Sequence, residues 1–238
     1  MSLPSSGSIS LSDIQAQLGG SNPIGLNEYY RGGPYLPSNG SINVPTTGSI
    51  SLTNFYSSDL TYEIIGGGGA GGDSWNNNHG PVAAVAAQKG GDSAITGALV
   101  SITATGGTGG INGIGPNVNY GSPGDASFYG PGGIAGLEDG AGGAAPSTSY
   151  GAGGGGAGGD NGSLFSEGGP RGEGGHASIR LTGSFNSIKG TVLNIIIGAG
   201  GLPYGGGNNP GGQGAPGICK ITKDGITTIF TSSGTYTV

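Results

Sequence analysis

Two stretches decide how this chain is read: Gly66-Gly67-Gly68-Gly69-Ala70-Gly71-Gly72 and Gly151-Ala152-Gly153-Gly154-Gly155-Gly156-Ala157-Gly158-Gly159. Neither carries a side chain larger than a methyl group, so neither can build a hydrophobic core. The choice lies between a flexible linker and a structure held by main-chain groups. Order is costly here, because fixing one residue costs about 1–2 kcal/mol and glycine loses the most freedom. A left-handed threefold helix of the polyproline II type offers a return. It rises about 3.1 Å per residue and has no internal hydrogen bonds, so its N–H and C=O groups point outward. With glycine on the contact faces such helices can lie side by side and bond to one another, with Cα–H to carbonyl contacts adding a smaller contribution. Collagen is excluded, because a strict glycine at every third position is absent.

Composition separates order from disorder. The 238 residues include 60 glycines and 14 prolines, close to a third of the chain where about 12% is usual. An excess of this size usually marks a disordered segment, yet only 8% of residues are charged and the net charge is −6, so repulsion does not hold the chain open. Glycine is also unevenly placed: 8 fall in residues 1–59, 50 in 66–217 and 2 in 218–238. The runs are punctuated by Pro123-Gly124, Pro131-Gly132, Pro210-Gly211 and Pro216-Gly217, and by single aromatics, none of which a linker needs. Apolar strand candidates alternate with them at 60–65, 98–104, 177–182, 192–197, 218–222, 227–230 and 235–238. Ile179 and Leu181 share one face there, with Ser178, Arg180 and Thr182 on the other.

The expected fold is therefore mainly β with irregular glycine-rich structure. A small N-terminal attachment module (1–59) precedes a glycine-rich domain (60–238) of polyglycine II helices packed with short β-strands. The module holds an internal repeat, Pro4-Ser-Ser-Gly-Ser-Ile-Ser-Leu-Ser-Asp13 against Pro45-Thr-Thr-Gly-Ser-Ile-Ser-Leu-Thr-Asn54, with a shorter echo at Pro37-Ser-Asn-Gly-Ser-Ile42. In each copy a turn and then a short Ser-Ile-Ser-Leu strand are expected. Ser12 is the expected N-cap of one short helix, with Leu11, Ile14 and Leu18 on one face and Gly19 as its stop. A unit this small buries little core alone, so it is expected to dock on something.

Several functions are disfavoured. No apolar run approaches the ~20 residues that span a bilayer, and Met1-Ser2-Leu3-Pro4 does not open like a signal peptide. A pI near 4.6 with scattered basic residues gives nucleic acid and anionic lipid no electropositive stripe. Cys219 is the single cysteine, in a strand pattern that suits a small packed residue, so no disulfide and no thiolate metal site forms within one chain. His79 and His176 lack a linked nucleophile signature, and Glu138-Asp139 reads as solvated loop charge. Gly68–Trp75, with Asp73, fits a single calcium-roll repeat and Gly155–Asp160 fits all but its large apolar residue, but real rolls need tandem copies. No catalytic residue, metal or cofactor is expected.

The better candidates are loop residues that could stack on or pack against a surface: Trp75, Asn76, Asn77, Asn78 and His79, then Tyr120, Phe128, Tyr129, Tyr150, Phe165 and Tyr204. Each aromatic has a competing use, as a ring lying over bare glycine backbone inside the fold. Trp75 is the leading contact residue.

The glycine body resembles the glycine-rich domains of bacteriophage tail tip and tail fibre proteins, including distal adhesins of long tail fibres, in which stacked polyglycine II helices present variable loops to a receptor. Leu3 to Asp13 looks like the start of many phage virion and tail proteins. In that family a segment like Phe230-Thr-Ser-Ser-Gly-Thr-Tyr-Thr-Val238 precedes one like Leu60-Thr-Tyr-Glu-Ile-Ile-Gly66; here it comes last, so the final strand is expected to pair beside residues 60–65 and close the domain on itself or on a neighbouring subunit. The resemblance implies a virion tail protein, made in the host cytoplasm and extracellular after release. It would attach through residues 1–59 to other tail proteins and bind a host outer-surface protein or polysaccharide, most simply as a homotrimer. A purely structural tail connector and a hydrolase of surface polysaccharide are the rivals, with a glycine-rich ice-binding protein further off.

Overall fold

The computed structural model describes residues 3–74, 86–111, 121–137, 140–158, 172–204 and 209–238. Its middle tier is a sandwich of two four-stranded antiparallel sheets. One runs in the order β4 (Arg180–Ile188), β1 (Ser57–Ile65), β6 (Ile218–Lys223), β7 (Ile226–Phe230). The other runs β3 (Val100–Ala104), β2 (Ser93–Gly97), β5 (Val192–Ile196), β8 (Gly234–Thr237). Period-two alternation sends Leu60 and Ile64 of β1, Cys219 and Ile221 of β6, Ile95 of β2 and Leu193 and Ile195 of β5 into one shared core. The β6–β7 hairpin turns on Asp224 (φ 51°) and Gly225 (φ 79°), the left-handed pair that a two-residue hairpin requires.

Three strand expectations change. The final strand pairs with β5, Val192 opposite Thr237, and not with β1. Both edges of β1 are already taken, by β4 from Ser57 to Ile65 and by β6 from Leu60 to Ile65, so a third partner has no place there. The candidate at 98–104 begins two residues late, because Ala98 and Leu99 form the turn that links β3 to β2. The candidate at 177–182 begins three residues late, at Arg180, and runs on through Gly183-Ser-Phe-Asn-Ser-Ile188.

The N-terminal tier is small and packed by side chains. Leu3, Ile14, Tyr29, Leu36, Val44 and Phe55 form its core, joined by Ile188 from the end of β4. The repeats are capped helical turns, not the expected strands. Ser10 caps α1 (Leu11–Leu18), its N–H donating to Asp13 Oδ2 at 2.8 Å while Asp13 N–H returns to Ser10 Oγ at 3.3 Å. Ser51 caps the 3₁₀ turn Leu52–Phe55, with its N–H on Asn54 Oδ1 at 2.8 Å. The cap is thus Ser10, not Ser12: Ser10 is extended (φ −116°, ψ 163°) and exchanges bonds with Asp13, whereas Ser12 already lies inside the helix. The tier is tied to the sandwich by Ser57 N–H to Pro4 O, Lys189 N–H to Tyr56 O and Ile42 N–H to Gly190 O.

On the opposite end of the sandwich stand ten extended segments, termed rods: rod 1 (66–74), rod 2 (86–92), rod 3 (105–111), rod 4 (121–126), rod 5 (131–137), rod 6 (140–146), rod 7 (151–158), rod 8 (172–179), rod 9 (197–204) and rod 10 (209–217). Rods 1, 2, 3, 8, 9 and 10 are direct continuations of β1, β2, β3, β4, β5 and β6. Rods 4 to 7 continue no strand.

The rods bond to one another with a period of three. In rod 1, Gly67 and Ala70 donate to rod 2; Gly68, Gly71 and Ser74 donate to rod 10; Gly69 and Gly72 donate to rod 8, at 2.8–3.1 Å. Its carbonyls accept from rods 3, 9 and 7 through Gly107, Gly201 and Gly154, so rod 1 has six neighbours. Rod 7 has six as well: it donates to rods 1, 4 and 6 and accepts from rods 5, 8 and 10. These contacts define three rows, rods 3-8-4, rods 2-1-7-5 and rods 9-10-6. Such closeness excludes a Cβ: one added at Gly71 would lie 2.0 Å from Gly155 O, and one at Gly153 would lie 1.7 Å from Gly175 O. Where three rods leave a gap, the buried methyl groups of Ala145, Ala152 and Ala215 fill it together.

Candidate functional site

The array has two unlike ends. At the end nearest the sandwich, rods 4 and 5 are joined by the tight turn Ser127–Gly130 and rods 6 and 7 by a turn around Ser149, whose N–H bonds Pro146 O at 2.9 Å. At the far end the described residues stop at a common level. Ser74 N–H meets Asn209 O, Gly72 N–H meets Glu173 O, Glu173 N–H meets Ile111 O, and Gly158 N–H meets Gly140 O. The segments 75–85, 112–120, 138–139, 159–171 and 205–208, which connect one rod to the next there, are outside the described residues.

The candidate residues divide between these ends. Trp75, Asn76, Asn77, Asn78, His79 and Tyr120 lie outside the described residues, as do Phe165, Glu138, Asp139 and Asp160. Tyr204 ends rod 9 at the far level with 53% of its surface exposed. Phe128, Tyr129 and Tyr150 come together at the near end, against the outer face of the β4-β1-β6-β7 sheet. Their rings meet edge to face, Phe128–Tyr129 at 5.4 Å and Tyr129–Tyr150 at 5.6 Å between centroids.

The centre of that near-end cluster is Glu63, an outward position of β1. Its Oε1 accepts from Arg180 Nε at 2.6 Å, its Oε2 accepts the Tyr129 hydroxyl at 2.8 Å, and Lys220 Nζ stands 3.4 Å away. The Arg180 guanidinium lies 3.9 Å from the Phe128 ring centre and Lys220 Nζ 4.6 Å from that of Tyr129, both within cation–π range. Burial pushes the Glu63 carboxyl up, but the bonds from Arg180 and Tyr129 and the two positive charges outweigh it and hold it below its ordinary value. Burial pushes the Tyr129 hydroxyl up. Every polar atom of the carboxylate is engaged within the protein, so the cluster acts as an anchor: it pins the strandless rods 4 to 7 onto the sheet. Sequence reasoning missed Glu63, Arg180 and Lys220, whose only signal is their outward place in strand alternation.

Other reactive groups are occupied. Cys219 is buried in the core, where burial pushes its thiol up to about 12, so it is no nucleophile at neutral pH. His176 Nδ1 faces Asp125 Oδ2 at 3.1 Å on the open surface of rods 8 and 4. Asp73, in the calcium-like stretch, is buried and its Oδ1 accepts Gly211 N–H at 2.9 Å. Among the described residues no three His, Cys, Asp or Glu side chains gather closely enough to hold a metal ion, and no helix is long and apolar enough to cross a membrane. Set against family models, curated proteins and solved structures, the chain matches none.

Proposed function

We propose that the protein is a bacteriophage tail adhesin. The N-terminal module fastens it to other tail proteins, and the far end of the rod array grips a host outer-surface protein or polysaccharide without covalent chemistry or catalysis. The rods in this reading are polyglycine II helices. Support for that comes from the period-three donors of rod 1, which reach three different neighbours in turn. The observation that carries the functional reading is polarity: the module and the rod array occupy opposite ends of the sandwich. The described turns between rods at the sandwich end are short, and the described rods end away from the module, at Ser74, Ile111, Gly158 and Asn209. A rigid array would present its far end with little freedom left to lose on contact. Threefold repetition on a virion would multiply weak contacts into firm attachment.

The reading is tested by competition. Purified protein at saturating amounts, added to host cells before the phage that carries it, is expected to lower adsorption, and replacing the segment 75–79 with Gly-Ser residues is expected to abolish that competition. Adsorption unchanged at saturation would instead favour a structural tail connector. Release of reducing sugars from host envelope by the protein alone would favour a hydrolase.

A further inference from the structure

Most prolines of the described rods sit where a rod faces no neighbour; the exception is Pro146, which ends rod 6 on the row Gly143 uses to donate to rod 5 and opens the turn to rod 7. On rod 10, Gly212 and Ala215 donate to rod 7 and Gly214 and Gly217 donate to rod 9. The third direction, taken by residues 210, 213 and 216, points away from the bundle, and two of those three are Pro210 and Pro216. On rod 4, Gly121 and Gly124 donate to rod 5 and Ser122 and Asp125 to rod 8, which leaves Pro123 on the outward row. On rod 5, Gly133 and Gly136 donate to rod 7 and Pro131 lies off that row; on rod 9, Gly201 donates to rod 1 and Pro203 lies off its row. Rods 1 and 7, with six neighbours each, contain no proline. Carboxylates cover other outward donors: Asp92 Oδ1 accepts Gly106 N–H at 2.9 Å and Glu173 Oε2 accepts Ile111 N–H at 3.2 Å, both on rod 3.

We propose that these prolines and carboxylates form a lateral stop, which prevents a second copy of this chain from adding its own rods to the rim of the array. A rim rod has the same liability as an edge strand, a row of free donors that templates further pairing. In a threefold helix such donors recur about every 9 Å along one side. Proline removes the N–H, and its fixed φ near −65° already suits this backbone, so it closes the row without distorting the rod. The inference is independent of what the far end binds.

The test is the full chain carrying Pro210→Ala and Pro216→Ala, which gives rod 10 three outward N–H groups in a row. Sedimentation velocity is expected to show species larger than the wild-type chain forms, increasing over about a tenfold range of concentration. In dilute sample the two new amides should exchange at the rate of an unfolded peptide. Pro210→Glu with Pro216→Glu restores the donors but adds two negative charges to a chain of net charge −6, and it should sediment as wild type. Wild-type sedimentation by the alanine variant, equal association by the glutamate variant, or new amides protected more than about 100-fold in dilute sample would each overturn the proposal. If the rod 10 variant does not fold, Pro123→Ala on the opposite row is read by the same measurements.

Discussion

The sandwich and the rod array are neighbours in one chain and are held together by opposite means. In the sandwich, side chains such as Leu193 and Ile221 exclude water and the backbone is spaced by them. In the array the backbone itself is the packing surface, and Gly71 and Gly153 leave less room than a single methyl group needs. The lesson concerns tolerance: a side-chain core yields gradually to a change of volume, whereas a core of touching carbonyls has nothing that can rotate aside. Gly71→Val should therefore have the largest effect of any single change, about 4–5 kcal/mol or outright loss of the array. Amide exchange along rods 1 and 7 would rise to near that of an open chain while β2 and β5 stay protected. Full protection of rod 1 in this variant would mean that its neighbours are not packed on it by backbone.

Leu193→Ala probes the other side of the contrast. Leu193 is fully buried between the two sheets, and its truncation should cost about 2–5 kcal/mol, by lost transfer energy and by the cavity left behind. Because six rods grow directly out of strands, this loss should loosen array and sandwich together, seen as one coincident urea transition by far-ultraviolet circular dichroism and tyrosine fluorescence. Gly71→Val should instead separate the two. The pair of variants thus measures whether stability flows one way, from side-chain core to backbone core.

How much of this could be read from residue order follows from the same contrast. Strands with a clear alternation, 60–65, 192–197 and 218–222, emerge within a residue or a few of their observed bounds. β2 is hidden because Ser93-Ala-Ile-Thr-Gly97 offers one large apolar residue, and the second half of β4 is hidden because an edge strand with a solvated face can be mostly Ser, Asn and Gly. The repeat at Ser10 and Ser51 is visible in sequence, but its meaning depends on Asp13 and Asn54 three residues later, which favour a cap over a strand. The anchor is illegible for a different reason. Glu63 and Arg180 are 117 residues apart, so only the pairing of β1 with β4 brings them together, and Phe128, Tyr129 and Tyr150 look like display residues until that face is known.

The anchor makes rods 4 to 7 depend on side chains after all, which sharpens the comparison. Tyr129→Phe keeps the ring contacts and removes the donor to Glu63, so it should cost about 1–2 kcal/mol, as expected for a bond to a charged acceptor. The loss should be local, as faster exchange at Gly133 and Gly153 and unchanged exchange at Leu193. The pH dependence has a definite sign. Glu63 is held below its ordinary value in the folded chain, so its contribution is present above the unfolded carboxyl's pKa of about 4.3 and is lost as pH falls through the folded value. Acidification below about pH 4 should release rods 4 to 7 before the sandwich, and Glu63→Gln should remove that step. Equal acid sensitivity of the two in the wild-type chain would contradict the anchor.

The smallest effect is expected in the N-terminal tier, the third way of holding a chain together here. Its two capped turns differ in partner, a carboxylate at Asp13 and an amide at Asn54, and only the Ser10 side chain accepts a backbone N–H of its turn. Ser10 begins a helix of eight residues and bonds to a charged group, whereas Ser51 begins a four-residue 3₁₀ turn with a neutral partner. Ser10→Ala should therefore cost about 1 kcal/mol and Ser51→Ala about half as much. The asymmetry has a direct check, because only the Ser10 cap depends on ionisation. Hydrogen bonds from Ser10 hold the Asp13 carboxyl below its ordinary value, so the gap between the two variants should close as acid protonates Asp13. If the Ser51 variant proves as costly as the Ser10 variant at neutral pH, the cap matters by fixing the turn's entry and not by meeting a charge. The second repeat would then be as necessary to the module as the first.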